Sequence, residues 1–355
     1  MKKYLIIIVL AFISLLGYGQ KITFSPEVSK YSSDPNVSSI ASIWEEYFTS
    51  FYVPDSEPIR TILWDSTSSV DIFRGTVMYY WNQFVINIRK LDDSIYEINT
   101  IAYLDSEDGI SIYEVYKVCA APDKEGNFKL MNYFEVAKHK LNHYETNQID
   151  YYYPANIILK GEEAEEAEQF IEKFKRDYKI ENKNKIRYIL ANDLDECSSI
   201  LGIDYTMMRS EAKYAGRTIQ KTILSTRPNH IHELIHGIMQ PLFPNTPLIL
   251  HEGIATYYGG GANNDYSFHK NNFKNNIKTI EGIDFANPDS LHRQIEGETY
   301  VLNTLGALII EYVLNNYGES KVLELFESES YEAIFLKLGV SENDISSFIQ
   351  EKIIP

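Results

Sequence analysis

One short stretch of this chain limits its local fold more than any other. Between Pro228 and Pro241 the sequence reads N-H-I-H-E-L-I-H-G-I-M-Q, and the two prolines leave room for a helix of about three turns. Within it, His232 and His236 are four residues apart, and residues four apart lie on the same face of a helix. The stretch therefore predicts a helix that presents two imidazoles together, with Glu233 about 100° further round.

A second helix is predicted directly afterwards. The connection contains Pro241, Pro244 and Pro247. Thr246 is the predicted N-cap, Pro247 is the predicted first helical residue, and the helix is expected to stop at the glycines that begin at Gly259. Because the link is so short, we expect the two helices to pack as antiparallel neighbours.

Glu252 of the second helix can then face the histidines of the first. Two imidazole nitrogens and a carboxylate form many catalytic zinc sites, which leave the fourth tetrahedral position to water. The sequence therefore predicts a Zn²⁺ site made by His232, His236 and Glu252. Gly253 and Ala255 are small and are expected to let the two helices approach closely.

Glu233 lies beside the predicted ligands without sharing their direction, so its carboxylate is the predicted general base that takes a proton from a water at the metal. Two alternatives remain open. His251 adjoins Glu252 and could replace it as a ligand if the second helix is rotated, and the first helix could simply carry two surface histidines. His230 lies about 200° from His232 and is predicted to point away from the metal.

The sequence H-E-L-I-H at 232–236, followed by H-E-G-I-A at 251–255, resembles the gluzincin pattern, in which a glutamate of an E-G-x-A helix completes a zinc site. The family it resembles is the peptidase MA-like domain, related to aminopeptidase-N-like and thermolysin-like enzymes. Residues 300–306 and 317–318 are similar to the helix that follows the metal site in those domains. The resemblance spans about residues 155–340 and implies a zinc-dependent peptidase.

Two departures from that pattern bear on the substrate. The step from His236 to Glu252 is 16 positions (252 − 236), which is short for the aminopeptidase branch, so the substrate cleft is expected to differ. The sequence also has no G-x-M-E-N type of strand for gripping a free amino terminus. Aminopeptidase activity is therefore not implied.

The resemblance also suggests a donor for the oxyanion of a tetrahedral intermediate. Tyr300 is the predicted donor, with a plain packing role as the alternative, and the reserve candidates are Tyr257, Tyr258 and His292. Thr256 on the second helix is predicted either to orient a ligand imidazole or to bond a backbone carbonyl.

These residues predict metal-assisted hydrolysis of a peptide or protein substrate, with no covalent intermediate. The alternative from another class is a catalytically silent binding protein on a gluzincin scaffold, and the intact Glu233 argues against it. A third interpretation makes residues 20–150 an inhibitory prodomain, because they lie upstream of the site.

The first 19 residues have the order of a secretory signal peptide. Lys2 and Lys3 precede an apolar run over 4–16, and small residues end the segment at Gly19. The run is too short for a comfortable membrane span, and no second apolar stretch of about 18 residues follows. We expect a secreted or periplasmic protein that begins at Gln20 and has no membrane span after signal removal.

Charge and cysteine content narrow the function classes further. The 355 residues include 33 Lys and Arg against 50 Asp and Glu, a formal net charge of −17. Such a surface repels phosphate backbones and anionic lipids, so nucleic acid is not an expected partner. The two cysteines, Cys119 and Cys197, are too few for a disulfide framework or a thiolate metal site, and they leave open one bridge or two buried thiols.

The predicted fold class is α+β, in two domains. Residues 20–150 are predicted to form a small α+β domain of unknown role with an antiparallel sheet. Its predicted elements are a helix over 37–51 and strands over 98–104, 110–118 and 128–136.

Residues 151–355 are predicted to form a mainly helical, gluzincin-like metallopeptidase domain. A charged helix is expected over 162–178 and a short strand over 186–190. From a helix near Asp193 onward, the pattern is almost wholly helical.

Overall fold

The structure is a computed structural model of the chain. It describes residues 21–29, 33–50, 63, 81–107, 109–182, 184–207, 216–219, 222–295 and 298–354. The predicted signal peptide, residues 1–19, lies outside these described residues.

Helices and strands are numbered along the described chain. The strands are β1 (Ile22–Phe24), β2 (Asn82–Lys90), β3 (Tyr96–Ser106), β4 (Gly109–Pro122), β5 (Phe128–Asn132), β6 (Asn142–Glu145), β7 (Ile149–Tyr153), β8 (Ile186–Leu190), β9 (Ile203–Thr206), β10 (Gly216–Ile219), β11 (Thr222–Ser225), β12 (Gln294–Ile295) and β13 (Thr299–Tyr300). The α-helices are α1 (Pro26–Ser29), α2 (Pro35–Ser50), α3 (Phe134–Ala137), α4 (Gly161–Asp177), α5 (Leu194–Ile200), α6 (Ile231–Met239), α7 (Leu248–Gly259), α8 (Tyr266–Asn276), α9 (Val301–Tyr317), α10 (Glu319–Phe326), α11 (Tyr331–Lys337) and α12 (Ile345–Phe348). Helices and sheets with antiparallel and mixed pairing confirm the α+β class in this general form.

The described residues divide into two compact units. The first draws on Met1–Lys140 and Ser198–Arg209, and the second on Leu141–Cys197 and Ser210–Pro355. The division therefore falls near residue 140, whereas the sequence placed it near 150. The physical reason is that β6 and β7 form ladders with each other and with β8, which ties them to the second unit.

The sheet of the first unit has the strand order β1-β2-β3-β4-β5, with β9 also paired to β4. β1 pairs with β2 in parallel, and the other pairings are antiparallel. β3 and β4 form one antiparallel hairpin, and β4 and β5 form a second. In the second of them, Asp123 Oδ1 accepts hydrogen bonds from the backbone nitrogens of Glu125 and Asn127, each at 2.9 Å.

The helix predicted over 37–51 corresponds to α2, which begins at Pro35. Its apolar residues are buried in the core of the first unit: Ile40, Trp44, Tyr47 and Phe48. The strand predicted over 128–136 is too long. β5 stops at Asn132, because the Asn132 side chain accepts a hydrogen bond from the backbone nitrogen of Phe134 at 2.7 Å and turns the chain into α3.

The second unit contains a sheet of order β10-β11-β8-β7-β6. β7, β8 and β11 are parallel neighbours, while β10 and β6 pair antiparallel at the two edges. The prediction of an almost wholly helical chain after residue 193 is wrong, because β9 to β13 follow. These strands have only two to four residues, too few to show a period of two in the sequence.

Both cysteines are free and buried, so of the two alternatives the structure has buried thiols. Burial raises the pKa of each thiol to about 12. Among the described residues, no helix combines the length and the apolar character that crossing a bilayer requires.

Candidate metal centre

Helix α6 carries the two histidines of the H-E-x-x-H motif. Seven consecutive residues from Glu233 to Met239 are buried, so the helix lies inside the second unit rather than on its surface. The His232 and His236 rings meet edge to face, with centroids 4.8 Å apart. The alternative of a helix with two surface histidines is therefore wrong, since the two side chains are only 12% and 5% exposed.

Helix α7 brings Glu252 to these rings. Nε2 of His232 and Nε2 of His236 are 3.1 Å apart. The Glu252 carboxylate lies 3.6 Å from the first nitrogen and 3.4 Å from the second. Among the described residues, this is the one group of three metal-ligating side chains whose ligand atoms lie within 4.8 Å of one another. The structure thus brings together the three predicted ligands.

The spacing of these atoms fits a tetrahedral cation. With metal–ligand distances of about 2.0–2.1 Å, the edges of a zinc tetrahedron measure about 3.3–3.4 Å. The 3.1 Å between the two imidazole nitrogens and the 3.6 Å from His232 Nε2 to Glu252 Oε2 lie around that value, while the other oxygen, Oε1, lies 3.4 Å from His236 Nε2. His232, His236 and Glu252 would supply three protein ligands to such a cation, and a catalytic zinc site keeps one further position for water or substrate.

Hydrogen bonding prepares His232 for this role. Its Nδ1 lies 2.8 Å from the backbone carbonyl oxygen of Gly260, directly after α7. Since a carbonyl only accepts, Nδ1 donates, and the Nε2 lone pair is left facing the cluster. His236 differs, because its Nδ1 is buried and makes no hydrogen bond with the described residues.

Electrostatics favour an ionised Glu252 carboxylate beside a neutral His236 imidazole. Burial lowers the pKa of His232, but Glu252 and Glu233 outweigh it and hold that pKa above its ordinary value. Burial alone would raise the pKa of Glu252, but the neighbouring His232 and His236 side chains lower it below its ordinary value. Burial lowers the pKa of His236 to about 4. A negative carboxylate and an unprotonated imidazole are the forms that bind a divalent cation.

Glu233, the predicted general base, does not join the three ligand atoms. Its side chain is buried, and burial raises the pKa of its carboxyl above the ordinary range. Thr218 Oγ1 on β10 donates a hydrogen bond to Glu233 Oε2 at 2.7 Å. The strand approaches closely at Gly216, where an added Cβ would lie 2.6 Å from Glu233 Cγ. β10 therefore fixes the carboxylate.

Asn303 on α9 supports the third ligand. Its side-chain nitrogen donates to Glu252 Oε2 at 2.7 Å. A ligating carboxylate that is hydrogen-bonded from outside in this way keeps its orientation. Asn303 is therefore a positioning residue for Glu252.

The small residues of α7 act differently from the prediction. Gly253 was expected to let α7 approach α6, but it contacts α9, where a Cβ added to it would lie 2.4 Å from the carbonyl carbon of Gly306. Ala255 is fully buried in the apolar core. The close approach between α6 and α7 is made by Gly259, where a Cβ would lie 2.3 Å from the backbone nitrogen of His232.

Two further histidines lie outside the cluster. His251 Nε2 is 3.0 Å from the carbonyl oxygen of Phe243, so the alternative in which it replaces Glu252 as a ligand does not match the structure. His230, predicted to point away, has Nδ1 3.0 Å from Ser225 Oγ.

The predicted hydroxyl-bearing residues have varied surroundings. Tyr300 is 50% exposed at the start of α9, and its hydroxyl makes no hydrogen bond with the described residues. Tyr257 and Tyr258 contact each other with ring centroids 4.9 Å apart, and the Tyr258 hydroxyl lies 3.1 Å from that of Tyr178. His292 is exposed. The donor role of Tyr300 stays a prediction.

Two threonines of this region also differ from expectation. Thr256 Oγ1 is buried and makes no hydrogen bond within the described part of the chain, so neither of its two predicted bonds is present. Thr246 was predicted as the N-cap of α7, but Pro247 occupies that position. The Thr246 hydroxyl instead donates to the carbonyl of Phe326 on α10.

Sequence reasoning missed Thr218, Asn303, the Gly260 carbonyl and His269. His269 is 3% exposed, its Nε2 lies 2.6 Å from the Gly261 carbonyl, and its Nδ1 lies 3.0 Å from Thr299 Oγ1. It thereby fixes the turn that holds His232. Asn303 stood inside the stretch that resembled the gluzincin helix, which was a usable signal, whereas nothing near Thr218 or His269 indicated a partner.

The chain was also compared with known proteins. No protein-family model matches it, and no curated protein sequence matches it significantly. The functional interpretation therefore depends on the residues and geometry of the site.

Proposed function

We propose that the chain is an exported, zinc-dependent peptidase of the gluzincin type, which hydrolyses peptide bonds in a peptide or protein substrate. The observation that carries this proposal is the cluster of His232, His236 and Glu252 on α6 and α7. Its two imidazole nitrogens are 3.1 Å apart, and the two Glu252 oxygens lie 3.6 and 3.4 Å from one nitrogen each. The buried carboxylate of Glu233 lies on α6 as well. Two imidazoles and a carboxylate suit zinc, and a non-ligating carboxylate beside them suits hydrolysis.

His232, His236 and Glu252 would hold the cation. When bound there, zinc supplies Lewis-acid chemistry, which polarises a substrate carbonyl and lowers the pKa of a water toward about 7. Asn303 would keep Glu252 oriented toward the cation, and the Gly260 carbonyl would do the same for His232.

Glu233 moves the protons of the reaction. Thr218 occupies one of its carboxylate oxygens, which leaves the other to accept a proton from the attacking water. The water oxygen bonds to the carbonyl carbon, the C–N bond breaks, and Glu233 gives the proton to the leaving nitrogen. The raised pKa of Glu233 suits a group that must both take and release a proton.

The position of β10 supports an extended peptide as the substrate. β10 is an edge strand of its sheet among the described strands, and it contacts α6 through Gly216 and Thr218. An extended peptide can add to such an edge by main-chain hydrogen bonds. A peptide bound there would run beside Glu233. Tyr300 stays the proposed oxyanion donor.

The proposal is tested by Glu233→Gln, which keeps the shape of the side chain but removes the base. Cleavage of denatured casein, followed through newly formed amino termini, is expected to fall by about 10²- to 10⁴-fold while zinc content is unchanged. Glu281→Gln, which changes an exposed carboxylate of the same unit, is the control and should cleave normally. A Glu233→Gln protein that holds zinc and cleaves at the wild-type rate would refute the mechanism.

A further inference from the structure

A separate cleft lies beside the candidate metal centre. It has a volume of about 230 Å³ and shares His232 with the centre as part of its wall. The other lining residues come from the segment before α6, which includes Arg227, and from the end of α7 and the turn after it, which includes Gly261 and Asp265. A group bound in this cleft would therefore lie next to the reacting centre.

Arg227 is the cationic side chain of this cleft, and none of the described carboxylates forms an ion pair with it. It is half-buried, its Nε is shielded from solvent, and that atom has no hydrogen-bond partner among the described residues. Within the described residues, Arg227 forms no ion pair, although the chain carries 50 acidic residues. A shielded guanidinium N–H without an acceptor costs free energy, and a bound anion would remove that cost.

The backbone at Arg227 is fixed from both sides. The nitrogen of Arg227 donates to Ser225 Oγ at 3.2 Å, and the hydroxyl of Tyr188 donates to the carbonyl of Arg227. Pro228 follows and is buried. The base of the arginine side chain is thus held in place, which lowers the entropy cost of using it for recognition.

The opposite wall of the cleft is also well braced. Gly261 and Asn264 exchange two backbone hydrogen bonds of 2.9 Å across the turn, and His269 bonds the Gly261 carbonyl. Ala262 and Asn263 are held at φ values of 44° and 69°, a left-handed geometry that non-glycine residues rarely adopt. The turn is therefore a fixed wall rather than a loose loop.

Asp265 is the acidic group in the lining. Its Oδ1 accepts a hydrogen bond from the backbone nitrogen of Phe268 at 2.8 Å, so it acts as the N-cap of α8. The positive end of that helix offsets part of its negative charge. Asp265 thus caps its helix, whereas the Arg227 side chain forms no ion pair with the described residues.

We propose that Arg227 is a specificity-determining residue that binds a carboxylate of the peptide substrate in this cleft. The inference rests on the proposed function, because it places the carboxylate beside the bond that Glu233 and the metal ligands would hydrolyse. The planar guanidinium can hold both oxygens of a carboxylate at once. The carboxylate belongs either to an Asp or Glu side chain of the substrate or to its carboxyl terminus, and the experiment below distinguishes the two.

The test is a binding measurement with three matched probes. N-acetylglutamic acid α-amide carries a side-chain carboxylate, N-acetylglutamine carries a terminal carboxylate, and N-acetylglutamine amide carries none. Binding to the full mature chain is measured by NMR titration, both as purified and after chelation of metals. We expect one charged probe to bind about 10- to 100-fold more tightly than the neutral probe in both preparations. Which charged probe does so identifies the source of the carboxylate.

Variants of Arg227 decide whether the preference comes from this residue. Arg227→Gln is expected to remove the preference, and Arg227→Lys, which keeps the charge but not the bidentate geometry, is expected to reduce it several-fold. Arg176→Gln on α4 is the control and should keep the preference. If Arg227→Gln does not fold, Arg227→Lys alone decides the question. Equal binding of the three probes, or an unchanged preference in a folded Arg227 variant, would overturn the proposal.

Failure of the proposed function would look different. If the zinc-loaded chain cleaves no casein but binds a charged probe through Arg227, the peptidase proposal is refuted and the carboxylate site stands. If the chain cleaves casein but shows no Arg227-dependent preference for a charged probe, the peptidase proposal stands and the carboxylate site is refuted.

Discussion

Helix α7 contacts its two neighbouring helices in opposite ways. Toward α9 the two backbones touch, and a Cβ added at Gly306 would lie 2.0 Å from the Ile249 carbonyl oxygen. Toward α6, Gly259 touches one end, and the rest of the contact includes a polar cluster in which Glu252 faces two imidazoles at 3.4 and 3.6 Å. One face of α7 is closed by backbone contact, and the other keeps space for a cation between side chains.

This difference assigns separate tasks to the two faces. Ligand atoms of a metal site must be placed within about 0.2 Å of their proper distances. A glycine contact between backbones leaves little freedom for α7 to slide along α9. This contact therefore fixes where α7 presents Glu252 to the histidines of α6. Asn303 connects the two faces, because it lies on α9 and bonds the Glu252 carboxylate.

The largest expected effect comes from disturbing the backbone contact between α7 and α9. Gly306→Ala places a methyl group against the α7 backbone, which cannot yield as a flexible side chain could. We expect the free energy of unfolding to fall by about 3 kcal/mol, as measured by urea denaturation. Gly161→Ala is the control, since a Cβ there meets nothing within 4 Å. Equal stability of the two variants would show that the glycine contact does not hold α7.

A smaller effect is expected from removing the hydrogen bond between Asn303 on α9 and Glu252 on α7. Asn303→Ala removes the hydrogen bond to Glu252 without adding volume, so zinc affinity should fall by about 10- to 100-fold while the unfolding midpoint changes little. Competition with a zinc chelator measures the affinity. Asn316→Ala changes an asparagine at the other end of the same helix, where the side chain bonds only the Tyr312 carbonyl. If both variants bound zinc like the wild type, Asn303 would have no positioning role.

The smallest expected effect concerns the pH dependence on the α6 side. Burial raises the pKa of Glu233, and the hydrogen bond from Thr218 opposes that rise. Thr218→Val removes this bond, so the pKa rises further and the base becomes protonated at a higher pH. The acid limb of kcat/KM should move upward by about one pH unit, with little change at high pH. Thr279→Val is the exposed control. An acid limb at the same or a lower pH would contradict the role of Thr218.

The sequence predicted the parts of the site that depend on local spacing. His232 and His236 are one helical turn apart, and the short connection brings Glu252 back toward them. It could not predict Thr218, because β10 is only four residues long, or Asn303, because its bond to Glu252 spans 51 positions. Gly253 shows the limit clearly. Its size indicated a close helix contact, but nothing local indicated that the partner is α9 rather than α6.

We propose that His232, His236 and Glu252 together hold one zinc ion. Elemental analysis of the purified mature chain, beside Glu252→Ala and the exposed control Glu281→Ala, tests it most directly. We predict about one zinc per chain in the wild type and in Glu281→Ala, and a large loss in a folded Glu252→Ala protein. A folded wild-type chain that cannot be loaded with zinc, or a Glu252→Ala protein that keeps its full zinc content, would show that these three residues do not form a zinc site.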